Sequence, residues 1–277
     1  MKNKTSTCKI FALAGFTLIE LLVVIGIVSV LTALAYPAIS NVRRQGDMAR
    51  ELSAAKQLMI AYNLYATENN GQLLPGYKGD PANDDKGNPI NFPENARYPW
   101  RLAPFLNYKM AGVLALNGQE QMLTQSNYVY LMSVWPSLGI NTTFVGGDYS
   151  GGSDLTPSAE AEAVFGKVYV TRMVEAVEPS KLIVFASARN ATSGPMAQGY
   201  FQVKSPYWQS RRWTADFSAK DMPSSYGYVH PRHNGRAVTA MLDGHAELLG
   251  NEQLQDMRRW SNQAAQANNP KWTLTRQ

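Results

Sequence analysis

The run FTLIELLVVIGIVSVLTALAY, Phe16–Tyr36, constrains this chain more than any other stretch. At 1.5 Å of helical rise per residue it is long enough to cross a bilayer, and it is almost wholly apolar. Yet Glu20 stands fifth from its start. An ionised acid at membrane depth costs a few kcal/mol, roughly, on insertion scales. Such a residue requires a partner or a route to water.

Three readings of the N-terminus treat these residues differently. An ordinary secretory signal would use Ala33-Leu34-Ala35 as an A-x-A site and start the mature chain at Tyr36. Its apolar core, however, is roughly 7–15 residues, shorter than this one and not interrupted by an acid. An uncleaved anchor accounts for the length and lets Glu20 snorkel to water. The third reading starts from Gly15-Phe16-Thr17-Leu18-Ile19-Glu20, preceded by a short leader carrying Lys2, Lys4 and Lys9. This stretch resembles the type IV prepilin processing site: a basic leader ending in glycine, then phenylalanine, with glutamate fifth in the mature chain. Pro37 falls twenty-second from Phe16, where pilins often have proline. The resemblance covers about the first 55 residues, and the two other readings leave Gly15 and Phe16 unexplained.

The resemblance to type IV pilins and type II secretion pseudopilins implies a sequence of events. A prepilin peptidase would cut between Gly15 and Phe16 and methylate the Phe16 amine. Glu20 would then pair with the Phe16 amine of a neighbouring subunit. An α-amino group is cationic near neutral pH, so it offsets the cost of a buried carboxylate only when subunits stack. The implied function is a structural subunit, not an enzyme, assembled through its N-terminal helix into a type II pseudopilus or type IV pilus-like filament. The implied partners are the peptidase, other pilin or pseudopilin subunits and an inner-membrane assembly platform. The implied location is the bacterial inner membrane, single-pass, with a cytoplasmic leader and an extracytoplasmic C-terminal domain. Charge does not set the orientation, since Lys2, Lys4 and Lys9 are balanced by Arg43, Arg44 and Arg50.

Composition narrows the alternatives. With 277 residues, 45% hydrophobic and 17% charged, the chain has room for the apolar segment and one sizeable domain. The formal charge of +5 drops to +2 if the three leader lysines are removed, so basicity gives no clear nucleic-acid signal. Cys8, the single cysteine, also lies in the leader. The mature chain would therefore have no disulfide framework, thiolate metal site or cysteine nucleophile.

The expected organisation is a leader at 1–15, a transmembrane helix at 16–36, an amphipathic continuation at 37–70 and an extracytoplasmic domain at 71–277. Leu52, Ala55, Met59, Tyr62 and Ala66 recur at helical spacing, while Arg50, Glu51, Gln57 and Asn63 are expected on other faces. A helix from Phe16 to Glu68 would be about 80 Å long, kinked or loosened at Pro37 and stopped by Asn69-Asn70-Gly71. The fold class is α+β and pilin-like: the long helix packed on an antiparallel β-sheet. Strands are expected at Tyr128–Val134, Val164–Val174, Lys181–Ala186 and Tyr200–Val203, and Tyr98–Leu106 reads as a short element anchored by aromatics. The loop DPANDDKGNP carries Asp80, Asp84 and Asp85. Because major pseudopilins bind calcium in a loop, calcium is considered for these acids, although the spacing fits no EF-hand. Otherwise no cofactor is expected. The glycine-rich FVGGDYSGGSD lacks the lysine of a phosphate loop.

The stretch YGYVHPRHNGRAVTAMLDGHAELL holds all three histidines. It reads as a strand at Tyr226–His230, a turn at His233-Asn234-Gly235, a strand at Arg236–Leu242, a tight turn at Asp243-Gly244 and a strand at His245–Leu249. His233 and Asp243-Gly244 resemble the His-x9-Asp-Gly motif at the C-terminus of prepilin-type proteins of the planctomycete and verrucomicrobial kind. The alternative to a structural hairpin is a membrane-anchored exported hydrolase or metal-binding protein that uses His233, Asp243 and His245. Against it, the histidine spacing matches no zincin helix, and Asp243 suits a turn without any metal. A helix at Glu252–Ala267 would turn Leu254, Met257 and Ala264 to the sheet.

Overall fold

The computed structural model describes residues 17–116, 118–150, 157–191, 198–208 and 211–274, without the side chains of residues 34, 35, 37, 38, 159, 208 and 211. The expected leader and the Gly15-Phe16 junction lie outside the described residues. Two compact units divide the chain, one ending at Gly46 and one beginning at Asp47.

The first unit contains the start of α1 (Leu18–Glu68), which runs through position 37. Its apolar side chains from Leu18 to Leu31 are exposed. Among the described residues no helix is long and apolar enough to cross a membrane. Phe16 and the side chains at 34 and 35, which belong to the expected span at 16–36, lie outside the described residues.

The second unit is built on a five-stranded sheet. Preceding it are a two-residue-strand hairpin, β1 (Ala82–Asn83) and β2 (Pro89–Ile90), then α2 (Tyr98–Leu102) and α3 (Tyr128–Val134). Next come β3 (Leu138–Asn141), α4 (Ala159–Phe165), β4 (Ile183–Ser187) and β5 (Gln202–Val203). A small pair, β6 (Tyr207–Trp208) and β7 (Arg211–Arg212), leads to β8 (Ala237–Met241), β9 (Ala246–Leu249), α5 (Asn251–Leu254) and α6 (Asn262–Gln266). The sheet order is β5-β3-β4-β8-β9. All pairings are antiparallel except β3–β5, which is parallel. Gly139 permits that pairing, because a Cβ there would lie 2.8 Å from the Gln202 carbonyl carbon.

Every residue of β3, β4 and β8 is buried, as expected of strands covered on both faces. One face receives α1: Ala55, Leu58, Met59, Tyr62 and Ala66 pack with Leu138, Ile140, Val184, Phe185, Val238 and Ala240. The other receives Leu254, Met257, Trp260 and Ala264 against Ile183, Ala186, Ala237, Met241 and Leu249. Strand alternation would send Val184 and Phe185 to opposite faces. A register irregularity between Ile183 and Phe185 turns both to the α1 side. There Phe185 meets Tyr62 and Tyr98 edge-on or tilted, at 5.7 and 5.1 Å between centroids.

The α+β class and the helix-on-sheet arrangement hold, and several elements differ from expectation. Tyr128–Val134 is helical, not extended. A short apolar run fits either state by pattern, and here Leu131, Met132 and Val134 reach the core from a helix. Val164–Val174 is not a strand: α4 ends at Gly166, and Val170 makes only an isolated bridge to Val145. Ser158 caps α4 by accepting from the Ala161 N–H at 3.1 Å. Tyr226–His230 is not a strand either, because Gly227 and Tyr228 both adopt positive φ, leaving Val229 a single bridge to Ala188. The helix expected at Glu252–Ala267 is divided into α5, a 3-10 turn at Met257–Arg259, and α6. Asp256 and Ser261 accept from backbone N–H groups and start the later pieces anew. Leu254, Met257 and Ala264 still face the core, joined by Trp260.

Candidate functional site

At the N-terminal site, Gly15 and Phe16 lie outside the described residues, while Glu20 occupies the first turn of α1. The Thr17 N–H donates to Glu20 Oε2 at 2.9 Å and the Thr17 hydroxyl donates to the same oxygen at 2.8 Å. In return the Glu20 N–H donates to Thr17 Oγ1 at 3.3 Å. This is a reciprocal capping box, in which Thr17 is the N-cap and Glu20 the third helical residue. Thr-x-x-Glu is a readable signature of a helix start, and it coincides with the acid that the processing-site resemblance singles out.

A second constellation forms where α1 meets the sheet in the second unit. Glu51 was expected on an outward face, yet it is fully buried. It continues the stripe of Ala55, Leu58 and Tyr62 by one turn, so the helix that buries those residues buries it too. Its Oε2 lies 2.9 Å from His233 Nε2, and its Oε1 accepts from the Ser187 hydroxyl at 2.5 Å and lies 3.3 Å from Arg232 Nη2. Burial alone would raise the carboxyl pKa. Arg232, His233 and Ser187 outweigh burial and hold it below the usual value. The Arg232 guanidinium also donates to the carbonyls of Ser137, Ala188 and Gln198, the contacts that make a buried arginine tolerable.

His233 is presented by a two-residue turn. Asn234 and Gly235 have φ of 52° and 76°, and His233 and Arg236 exchange backbone hydrogen bonds at 3.0 and 3.1 Å. Two positive-φ residues between hydrogen-bonded neighbours make a type I′ hairpin turn. At the other end of β8, Asp243 Oδ1 accepts from the His245 N–H and lies 2.7 Å from His245 Nδ1. The nine residues between His233 and Asp243 thus measure one strand and its two turns. The structure does not bring His233 together with Asp243 and His245: the first faces Glu51, and the other two form an exposed pair. His230 takes a third environment, its ring against Phe217 at 5.8 Å between centroids. Its buried Nδ1 has no hydrogen-bond partner among the described residues.

Serine, histidine and carboxylate do meet at Glu51, but in the wrong order for hydrolysis. A nucleophile requires the imidazole as its immediate base, with the carboxylate behind it. Here the carboxylate lies between Ser187 and His233, and Ser187 is fully buried. The loop acids also go to separate partners. Asp80 meets Lys78 and Arg101, Asp84 accepts from the Lys86 and Asn88 backbone, and Asp85 accepts from the Tyr128 hydroxyl. Among the described residues no three His, Cys, Asp or Glu side chains are grouped so as to hold a metal ion.

Comparison with known proteins adds to this geometry. The family model of the prokaryotic N-terminal methylation motif matches residues 13–36. The chain is 33% identical over 108 residues to "Prepilin peptidase-dependent protein D" of Escherichia coli (strain K12). That alignment covers 39% of this chain and 65% of the relative, just under two thirds of its length. No solved structure matches. With a methylation motif whose acid caps a 51-residue helix, similarity to a prepilin peptidase-dependent protein and a helix-on-sheet domain, the chain is similar to type IV pilins and pseudopilins.

Proposed function

We propose that this protein is a structural subunit of a type II secretion pseudopilus or type IV pilus-like filament, not an enzyme. A prepilin peptidase cuts between Gly15 and Phe16 and methylates Phe16. Residues 16–36 hold the chain in the bacterial inner membrane, with the C-terminal domain outside, until an assembly platform adds it to other subunits. The observation that carries this reading is the methylation motif over residues 13–36. The exposed Leu, Ile and Val side chains at the start of α1 support it, because a helix apolar on all sides requires lipid or protein around it. The relative's name concerns dependence on prepilin peptidase, consistent with processing here. His233 serves the fold through Glu51, and no cofactor is assigned.

N-terminal mass spectrometry of the protein from cells with active prepilin peptidase tests the processing step. The expected first residue is N-methyl-Phe16. A chain starting at Tyr36 would establish an ordinary secretory signal, and an intact Met1 an uncleaved anchor.

A further inference from the structure

The geometry points to a binding site for one pyranose ring of a glycan, in a cleft of the second unit distant in sequence from the assembly helix. The cleft has room for about 320 Å³ and is lined by Asp85, Trp100, Tyr108, Lys109, Leu123 and Tyr128, among others. That volume and an aromatic lining with few polar groups are typical of small-molecule sites.

The walls are built, not incidental. Tyr128 stands edge-on to Trp100 at 5.9 Å, and its hydroxyl donates to Asp85 Oδ1 at 2.5 Å, which fixes the tyrosine ring and the carboxylate together. The Trp100 indole N–H is spent on the Val129 carbonyl at 2.8 Å, so the ring supplies a buried apolar wall and no free donor. Asn107 and Tyr108 both hold left-handed backbone, at φ of 50° and 56°. A bulky side chain pays strain there, and such strain concentrates at functional surfaces. Tyr108 lines the cleft.

Charge selects the occupant. Asp85 and Lys109 place one charge of each sign on the lining, and Lys86 Nζ lies 5.8 Å from the Tyr128 ring centroid. On this lining an ion of either sign meets one opposite and one like charge, so it gains little over a neutral ligand. A neutral ring with apolar C–H faces and a rim of hydroxyls suits every group present. Its faces lie on tyrosine, its hydroxyls donate to the carboxylate, and they accept from the ammonium.

The test uses the full chain in a sugar-free detergent and reads saturation-transfer NMR. The probes are methyl β-D-glucopyranoside, methyl β-D-galactopyranoside and methyl N-acetyl-β-D-glucosaminide, with tetramethylammonium and acetate as charged comparators. Transfer to the ring protons of at least one glycoside is expected. Binding should weaken about ten-fold, the size of one lost contact of this kind, in Asp85→Asn and in Tyr108→Asn. Asparagine tolerates the left-handed backbone, so Tyr108→Asn removes the ring without unfolding the turn, and an unchanged melting temperature verifies this. No transfer to any glycoside overturns the proposal, as does transfer only to a charged comparator or glycoside binding indifferent to both variants. None of these residues lies in α1, so failure here leaves the filament reading intact.

Discussion

Glu20 closes the first turn of α1 through Thr17, and the same carboxylate is the group proposed to meet a neighbour's amine. Two substitutions separate these roles. Glutamine preserves the capping box but not the charge; alanine removes both, at a capping cost of about 0.5–2 kcal/mol. If charge pairing drives assembly, Glu20→Gln should be processed normally yet yield few filaments, as should Glu20→Ala. Pelleting sheared filaments and probing them for the subunit measures this. Full yield from Glu20→Gln would confine Glu20 to capping. At this scale the chemistry is local, so Thr-x-x-Glu was an available signal for the cap, although Glu20 was read only for its charge. Glu51 was not read, because a lone acid on an amphipathic helix is ordinarily placed outward. Its position on the stripe with Ala55, Leu58 and Tyr62 was the available signal, but its partner His233 lies 182 residues away.

Two histidine–carboxylate pairs of nearly equal length allow burial to be weighed at the level of elements. His233–Glu51, at 2.9 Å, joins the β8 turn to α1 with both side chains at most 8% exposed. His245–Asp243, at 2.7 Å, spans one turn with the two side chains 42% and 37% exposed. Screening by water leaves an exposed pair with under about 1 kcal/mol. Contacting residues in one buried network couple by about 0.5–3 kcal/mol. Double-mutant cycles to alanine, followed by urea unfolding, should therefore give a coupling above about 1 kcal/mol for Glu51–His233 and a smaller one for Asp243–His245. Equal couplings would remove the argument that α1 is fastened to the sheet through Glu51. The hairpin at the C-terminal end of the sheet was legible because Asn234-Gly235 and Asp243-Gly244 require particular turns. α3 was not, because a seven-residue run that is apolar but for Ser133 fits either a strand or a buried helix until a partner surface exists.

Across the whole molecule, helix-on-sheet packing was readable from the α1 stripe, and β4, β5 and β8 overlap the strands expected at Lys181–Ala186, Tyr200–Val203 and Arg236–Leu242, whereas β3 was not read. β3 is four residues long behind Pro136, too little pattern for any periodicity. What long-range packing places beyond sequence reading also sets the response to acid. His230 lies among Arg232, Arg189, Glu51 and His233, and burial, then the two arginines, push its pKa down from 6.5 to about 3. Above 6.5 the imidazole is neutral in both folded and unfolded chains. As pH falls, the unfolded chain binds a proton there and the folded chain does not until about 3, so stability is lost throughout that window. By pH 5 the loss is about 2 kcal/mol. Glu51, whose folded pKa is lowered, adds a loss of the same sign only as pH falls below its ordinary 4.5. The interval between 6.5 and 4.5 therefore isolates His230 from Glu51. His230→Phe keeps a ring beside Phe217 and removes the proton site. Urea midpoints should decline between pH 7.5 and 5 for the unsubstituted protein and stay nearly level for His230→Phe. Parallel declines in the two proteins would assign the acid sensitivity to other groups and refute a neutral, buried His230.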